Sequence, residues 1–198
     1  MLIPTPRRFR VWHALVFAGV LAVTTVAAQE TWRAFSFGHE KLWLDGVDNF
    51  GRVNAQLYRG GQPDGAGFAQ LKKLGVDIVV RLSLGEEGAA AEKEQVEALG
   101  MQFVAIPWST AREPEREKVV AFVGLMRDHP QQKVFVHCKR GADRTGVFIA
   151  AYRIAFDHWT PTQAMAEMNA FHYHYIFLPH LQRYVEAFPH WLLAEPSL

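Results

Sequence analysis

An α/β fold, a central mostly parallel sheet flanked by helices, is predicted by three features of this 198-residue chain. Apolar runs with strand character alternate with runs of helical period, glycines close several of those units, and no repeat of fixed period or low-complexity segment interrupts them. Val53 to Tyr58 reads as a first strand. Asp64 is an N-cap candidate for a helix with Phe68, Leu71 and Leu74 on one face, ending at Gly75. Val76 to Leu82 is a β-branched strand, Ala89 to Leu99 a helix stopped by Gly100, and Met101 to Ile106 a third strand. Pro114 to Arg127 is amphipathic, with Val119, Phe122, Val123 and Met126 on its buried face.

Lys133 to His137 is then a buried strand, and Arg144 to Phe156 is apolar enough for a buried helix. Thr160-Pro161-Thr162-Gln163 spells a capping box with proline at the first helical position, and Met165, Met168 and Phe171 continue that helix's apolar face. A last helix starts near Pro179 and packs through Leu181, Tyr184, Val185 and Phe188. These methionine and aromatic stripes read as core.

A composition of 49% hydrophobic and 21% charged residues fits one globular domain. Three arginines (Arg7, Arg8, Arg10) precede an uncharged run from Val11 to Ala28, with small residues at Val26-Ala27-Ala28. Residues 1–28 therefore read as a signal peptide or membrane anchor, residues 29–48 as an aromatic-rich connector (Trp32, Phe35, Phe37, Trp43), and residues 49–198 as the functional domain. The expectation is an exported protein, periplasmic or anchored in the cytoplasmic membrane through residues 11–28, with its domain outside. Removing the leader's three arginines from 21 basic residues leaves 18 against 20 acidic ones, too few for a general nucleic-acid binder.

The chemistry concentrates in residues 137–146, His-Cys-Lys-Arg-Gly-Ala-Asp-Arg-Thr-Gly, between the Lys133 strand and the Arg144 helix. Cys138 is the only cysteine, so it has no intramolecular disulfide or resolving partner, which disfavours a thiol redox protein. At a helix N-terminus, beside a guanidinium and a turn of backbone N–H groups, a thiol is favoured as thiolate. The connecting loop can curl around an oxyanion with its N–H groups inward. Arg144 offers a planar fork for two phosphate oxygens, which follows them toward a bipyramidal transition state better than lysine does. The plainer alternative is a small buried apolar cysteine. A Walker-type loop is disfavoured by the missing Gly-Lys-Ser/Thr ending.

The segment resembles the cysteine-dependent protein tyrosine phosphatase superfamily, whose pattern His-Cys-x5-Arg-Ser/Thr-Gly is matched in full from His137 to Gly146. Together with Tyr58-Arg59-Gly60-Gly61-Gln62-Pro63, it is similar to the dual-specificity branch and its atypical bacterial members, over roughly residues 49–188. The resemblance implies a phosphatase-like α/β fold and phosphomonoester hydrolysis through a phosphocysteine. Cys138 would be the nucleophile, Arg144 the phosphate clamp, Thr145 a hydroxyl for the departing thiolate, and His137 a supporting residue that orients the loop. Lys139, Arg140, Gly141 and Ala142 would line the bound phosphate. No metal or other cofactor is implied.

The family usually supplies an aspartate acid from a loop upstream of the cysteine, and here residues 107–114 contain none. Glu113 is the nearest carboxylate, though it suits a helix start equally well. Asp143, next to Arg144, is the other candidate, as acid, as activator of water, or as a brace for the loop. Lys139 and Arg140 suit substrates with several phosphates, and Arg59 and Arg112 could widen that positive rim. The expected partner is thus a phosphorylated protein, with a phosphorylated lipid or inositol as the alternative. A phosphate-binding module without turnover is a rival, motivated by the missing loop aspartate. His172, His174 and His180 have no carboxylate cluster to complete a metal shell and read better as surface or pocket wall.

Overall fold

The computed structural model describes residues 40–195. Six strands, β1 (Glu40–Lys41), β2 (Gly51–Arg52), β3 (Leu57–Gly60), β4 (Ile78–Arg81), β5 (Gln102–Ala105) and β6 (Val134–His137), form one sheet in the order β1-β2-β3-β6-β4-β5. β3, β6, β4 and β5 run parallel, and β1 and β2 add a short antiparallel edge. The helices are α1 (Gly65–Lys73), α2 (Glu86–Ala98), α3 (Arg116–Asp128), α4 (Asp143–Phe156), α5 (Pro161–Ala170), α6 (Pro179–Glu186) and the short α7 (Phe188–Trp191). The predicted α/β class, a mostly parallel sheet flanked by helices, is the observed one.

Alternation along buried strands divides the core into two layers. Leu57, Ile78, Val80, Val134 and Val136 face a cluster completed by α3, α4, α5 and α6. Tyr58, Val79 and Phe135 face the opposite cluster, completed by Phe68 and Leu71 of α1 and Val96 of α2. α4 runs through the larger layer, its Val147, Phe148, Ala151 and Ile154 all at most 2% exposed. Phe148 stacks on Trp108 with centroids 6.2 Å apart and tilts against Phe122 at 5.5 Å. Trp108 opens the loop between β5 and α3, so this aromatic stack ties that loop to α4.

Local chemistry moves several element boundaries. The first parallel strand begins at Leu57 instead of Val53, because Asn54 Oδ1 accepts from the backbone N–H of Gln56 at 2.9 Å and of Leu57 at 2.8 Å. That turn displaces the extended run to end at Gly60, two residues beyond the predicted end. α2 starts at Glu86, earlier than Ala89, with Glu86 and Glu87 favourable in its first turn. Asp64 caps α1 as expected, accepting from Gly67 N at 2.8 Å. The Thr160–Gln163 capping box is also present.

The β1–β2 edge had no sequence signal, since two-residue strands have no period to read. Residues 40–48, the described part of the 29–48 connector, supply β1 and the turn into β2, with Val47 buried. Gly51 in β2 lies where an added Cβ would stand 2.4 Å from Phe171 Cζ, which explains the bare backbone there. The leader at 1–28 and the connector's Trp32, Phe35 and Phe37 lie outside the described residues. Among the described residues, no helix is long and apolar enough to cross a membrane.

Phe148→Ala is expected to lose about 3–5 kcal/mol of stability, since it opens a cavity between two other rings. Urea unfolding followed by tryptophan fluorescence would measure this, and a loss below about 1 kcal/mol would mean the stack is not part of the cooperative core.

Candidate active site

β6 delivers Cys138 at its carboxyl end, the usual side for ligands in a parallel sheet. The loop from Cys138 to Ala142 then leads into α4, which begins at Asp143, one residue before the expected start. Ala142 at the N-cap makes no side-chain cap bond, so the first N–H groups of α4 are not satisfied by such a cap.

Three successive carbonyls of this loop accept hydrogen bonds from outside it. Gln62 N donates to Lys139 O at 3.3 Å, Asn49 Nδ2 to Arg140 O at 3.1 Å, and Arg59 Nη2 to Gly141 O at 3.2 Å. In a trans peptide the carbonyl and the following N–H point in opposite directions. The N–H groups of Arg140, Gly141 and Ala142 are therefore turned away from these donors, as an anion-binding nest requires. Gly141 makes the curl sterically feasible. Its φ is +67°, and a Cβ would lie 2.3 Å from Gly60 C.

A cavity of about 200 Å³ opens over the loop, lined by Thr110, Cys138, Lys139, Arg140, Asp143 and Arg144. Cys138 is 3% exposed, whereas Lys139 and Arg140 are exposed at the rim. Thr145 Oγ1 and Arg144 Nε are buried and have no hydrogen-bond partner among the described residues. Gly146, the last residue of the motif, packs against Met168, whose Cγ would be 3.1 Å from an added Cβ. The motif thus contains one glycine for the loop and one for the contact between α4 and α5.

His137 lies beneath the loop and is completely buried, stacked on Phe135 at 5.5 Å. Its Nε2 donates to Glu92 Oε1 of α2 at 2.7 Å. Glu92 Oε2 in turn accepts from Gln62 Nε2 at 2.8 Å and pairs closely with Arg81 Nη1. Burial works against the charge of Glu92, yet the bonds from His137, Gln62 and Arg81 outweigh it and hold the carboxyl below its usual range. Glu92 and Arg81 escaped the sequence reading, and Gln62 figured there only within the 58–63 run, because neither their spacing nor their residue types marks a shared cluster.

The two candidate acids are placed differently. Asp143 lines the cavity, and its carboxylate accepts from His174 N at 2.9 Å and from His174 Nδ1 at 3.0 Å. Glu113 is exposed on the loop before α3 and does not line the cavity. Burial first, and then the charge of Glu113, push the Tyr184 phenol on α6 far above its usual range, which puts Glu113 on that side. The loop's contribution to the cavity is Thr110, whose carbonyl accepts from His180 Nε2 at 2.9 Å.

His172, the third of the histidines in the 172–180 stretch, accepts from Lys41 Nζ at 2.7 Å. Among the described residues, no group of three or more His, Cys, Asp or Glu side chains is arranged to hold a metal. Arg59, expected on the rim, is instead fully buried, because its alternation along β3 turns it into the larger core layer. Arg112 is exposed and does not line the cavity.

Residues 45–174 match the family model described as DSP-PTPase phosphatase fused to NAD+ kinase. Over 161 residues the chain is 28% identical to the dual specificity protein phosphatase TpbA of Pseudomonas aeruginosa strain UCBPP-PA14, covering 80% of this chain and 72% of that protein. The crystal structure of P. aeruginosa TpbA superposes with a TM-score of 0.65 at 23% identity, covering 77% of this chain and 91% of that one. The core catalytic domain of the PP-IP phosphatase SIW14 from S. cerevisiae superposes with a TM-score of 0.59 at 19% identity, covering 73% and 87%. Both superpositions are likenesses of fold.

The Glu92 network predicts a pH-dependent stability difference. The folded-state pKa of Glu92 lies below its ordinary value of 4.5, so its charge stabilises the fold above that value and the gain is lost as pH falls through the lower folded value. Glu92→Gln is expected to lose about 2 kcal/mol near neutrality, with the deficit shrinking in acid. Urea titrations at several pH values would check this, and a deficit independent of pH would refute the charge-based account.

Proposed function

The chain belongs to the DSP-PTPase phosphatase family and is a cysteine-dependent phosphatase, and from that premise we propose how its residues divide the work and which phosphate esters it takes. The observation that carries the reading is the outward anchoring of three loop carbonyls around a cavity that presents both Cys138 and Arg144.

Cys138 is the nucleophile. Its sulfur attacks phosphorus, the S–P bond forms as the P–O bond to the leaving group breaks, and the loop N–H groups together with Arg144 hold the equatorial oxygens. Thr145 supplies a hydroxyl toward the sulfur, which helps the thiolate leave in the second step. His137, fixed by Glu92, orients the loop from below without touching substrate. Lys139, Arg140, Gly141 and Ala142 form the phosphate cradle and its rim.

Asp143 is the carboxyl that handles the proton. It is the carboxylate lining the cavity, whereas Glu113 sits toward Tyr184. In the first step Asp143 gives its proton to the leaving oxygen. In the second, water attacks phosphorus, its proton returns to Asp143, the S–P bond breaks, and inorganic phosphate leaves. His174 holds the carboxyl at the cavity edge.

A dual-specificity protein substrate is favoured by the likeness to TpbA, named a dual specificity protein phosphatase. A second reading, an inositol phosphate or phosphorylated lipid headgroup, is favoured by Lys139 and Arg140 at the cavity rim, which suit several phosphates on one substrate. The leader at 1–28 supports export, with the catalytic domain outside the cytoplasmic membrane and membrane association through residues 11–28.

Release of phosphate from phosphopeptides, phosphoinositides and inositol phosphates, compared by kcat/KM, tests substrate class. Tyrosine-phosphopeptides leading the panel by tenfold or more would support the protein reading, and the reverse order would replace it. Cys138→Ser is expected to abolish turnover on every member, and residual hydrolysis near the wild-type rate would refute the nucleophile. Asp143→Asn is expected to lower kcat on an alkyl phosphate by about 10²-fold or more and on 4-nitrophenyl phosphate far less, because a good leaving group needs no proton. Equal losses on both substrates would exclude Asp143 as acid, and Glu113→Gln measured in parallel tests the competitor.

A further inference from the structure

We infer that the turn Tyr175-Ile176-Phe177 is the leaving-group wall of the active site, three specificity-determining side chains that favour the ring of a phosphotyrosine residue over more polar phosphate esters. The inference deepens the protein-substrate reading and rests on it and on Asp143 being the acid.

The cavity over the cysteine loop measures about 200 Å³, and its lining, Thr110, Cys138, Lys139, Arg140, Asp143 and Arg144, contains no large apolar side chain. Such a space receives the phosphoryl group, and the organic part of the ester has to cross the rim. The proton decides where it crosses, since the leaving oxygen must come within hydrogen-bond reach of Asp143. The organic group therefore leaves on the side of that carboxylate.

That side belongs to the segment between α5 and α6. His174 donates to Asp143 from its backbone N at 2.9 Å and from Nδ1 at 3.0 Å. At the other end, His180 Nε2 donates to Thr110 O at 2.9 Å. Both ends of the segment are thus fastened to residues that line the cavity. Between them the chain closes a turn: Phe177 N and Leu178 N both donate to His174 O at 3.0 Å, and the Tyr173 hydroxyl donates to Leu178 O. Tyr173 is a buried member of the larger core layer, so the base of the turn is held from within.

The tip of this turn lies beyond the cavity lining and carries Tyr175, Ile176 and Phe177 at 57%, 70% and 78% exposure. Turn tips ordinarily carry Gly, Asn, Asp or Ser, and a run of exposed apolar side chains beside a polar cleft marks a contact site. Tyr175 directly follows the residue that holds the acid, one Cα–Cα step of about 3.8 Å away. What meets the tip is therefore the leaving group itself.

The candidate leaving groups differ in what they offer such a tip. A tyrosyl group places a flat ring directly on the ester oxygen, with apolar faces to bury and an edge for aromatic contact. A seryl or threonyl group offers a short aliphatic link and then polar backbone. In a phosphoinositide the ester oxygen belongs to the inositol ring, which has oxygen on every carbon, and the acyl chains lie farther off. The tyrosyl ring is the one of these that is apolar where the turn stands.

Two peptides of one sequence, carrying phosphotyrosine or phosphoserine at the same position, test this, with kcat and KM measured separately. The expected result is that the double variant Ile176→Ser, Phe177→Ser raises KM for the tyrosine peptide by roughly tenfold and for the serine peptide far less. Ile176→Leu with Phe177→Leu is expected to restore most of that discrimination. Equal losses on both peptides, or a fall in kcat alone, mean that the turn merely holds Asp143, and the inference fails. An unchanged tyrosine-to-serine ratio in the serine variant sinks the inference alone and leaves the protein-substrate reading standing. Cosedimentation with phosphatidylcholine–phosphatidylserine vesicles tests the other occupant: binding lost in the serine variant while the peptide ratio holds would assign the turn to a lipid surface instead. If the wild-type chain releases phosphate from neither peptide, the protein-substrate reading fails and takes this one with it.

Discussion

The outward pull on the carbonyls of Lys139, Arg140 and Gly141 is the constraint on which the rest of the site depends. A five-residue connection between a strand and a helix has many conformations, and only a narrow set turns successive N–H groups to one centre. Here the set is selected from behind. Donors from three places, the Asn49 turn, the Arg59 side chain and the backbone at Gln62, fix the three peptide planes. Asn49 itself has φ +51°, and its Nδ2 also donates to Phe171 O at 3.0 Å, so the same side chain ties the loop to the end of α5. The shape of the loop is therefore set largely by residues that do not line the cavity.

The sheet separates two buried charge systems that both end under this loop. On one face, Glu92 gathers His137, Arg81 and Gln62. On the other, Glu167 gathers Arg153 and Arg59. The alternation of side chains along β3, β4 and β6 assigns each group to its face, since Arg59 follows Leu57 into one layer while Arg81 follows Val79, and His137 follows Phe135, into the other. Buried ion networks are weak contributors to net stability, because desolvation offsets much of their attraction. Their placement around the cysteine loop indicates a positional role, holding β3, β4, β6, α2 and α5 in one register about the site.

The fold class and the place of the cysteine loop at a strand-to-helix switch were legible in the sequence because each rests on local signals. Apolar periodicity marks the alternating strands and helices, and the ten residues from His137 to Gly146 bring cysteine, arginine and glycines to one strand-to-helix switch. The supporting shell was not legible. His137 and Glu92 are 45 positions apart, and Asp143 and His174 are 31 apart, with no spacing rule to connect them. Arg59 is a clearer case, since an arginine beside two glycines reads as a surface loop until the strand is known to extend to Gly60. The turn closed by the Asn54 side chain precedes that strand, and alternation from Leu57 then turns Arg59 inward.

The absence of an aspartate from the loop at 107–114 takes on a different meaning in this geometry. That loop is anchored at several points: Trp108 stacks on Phe148, Lys118 Nζ donates to Pro107 O at 2.7 Å, and His180 donates to Thr110 O. A loop so fastened is suited to walling the cavity, and Thr110 is its contribution to the lining. A carboxyl placed on α4 itself, as Asp143 is, has the opposite property: it is fixed relative to Arg144 by the helix that carries both, directly after the loop that begins at Cys138. The position of Asp143 therefore depends on no loop closure, and the hydrogen bonds from His174 N and Nδ1 orient its carboxylate. The tether also joins the Asp143 carboxylate to the segment between α5 and α6, where Tyr175, Ile176 and Phe177 are 57%, 70% and 78% exposed.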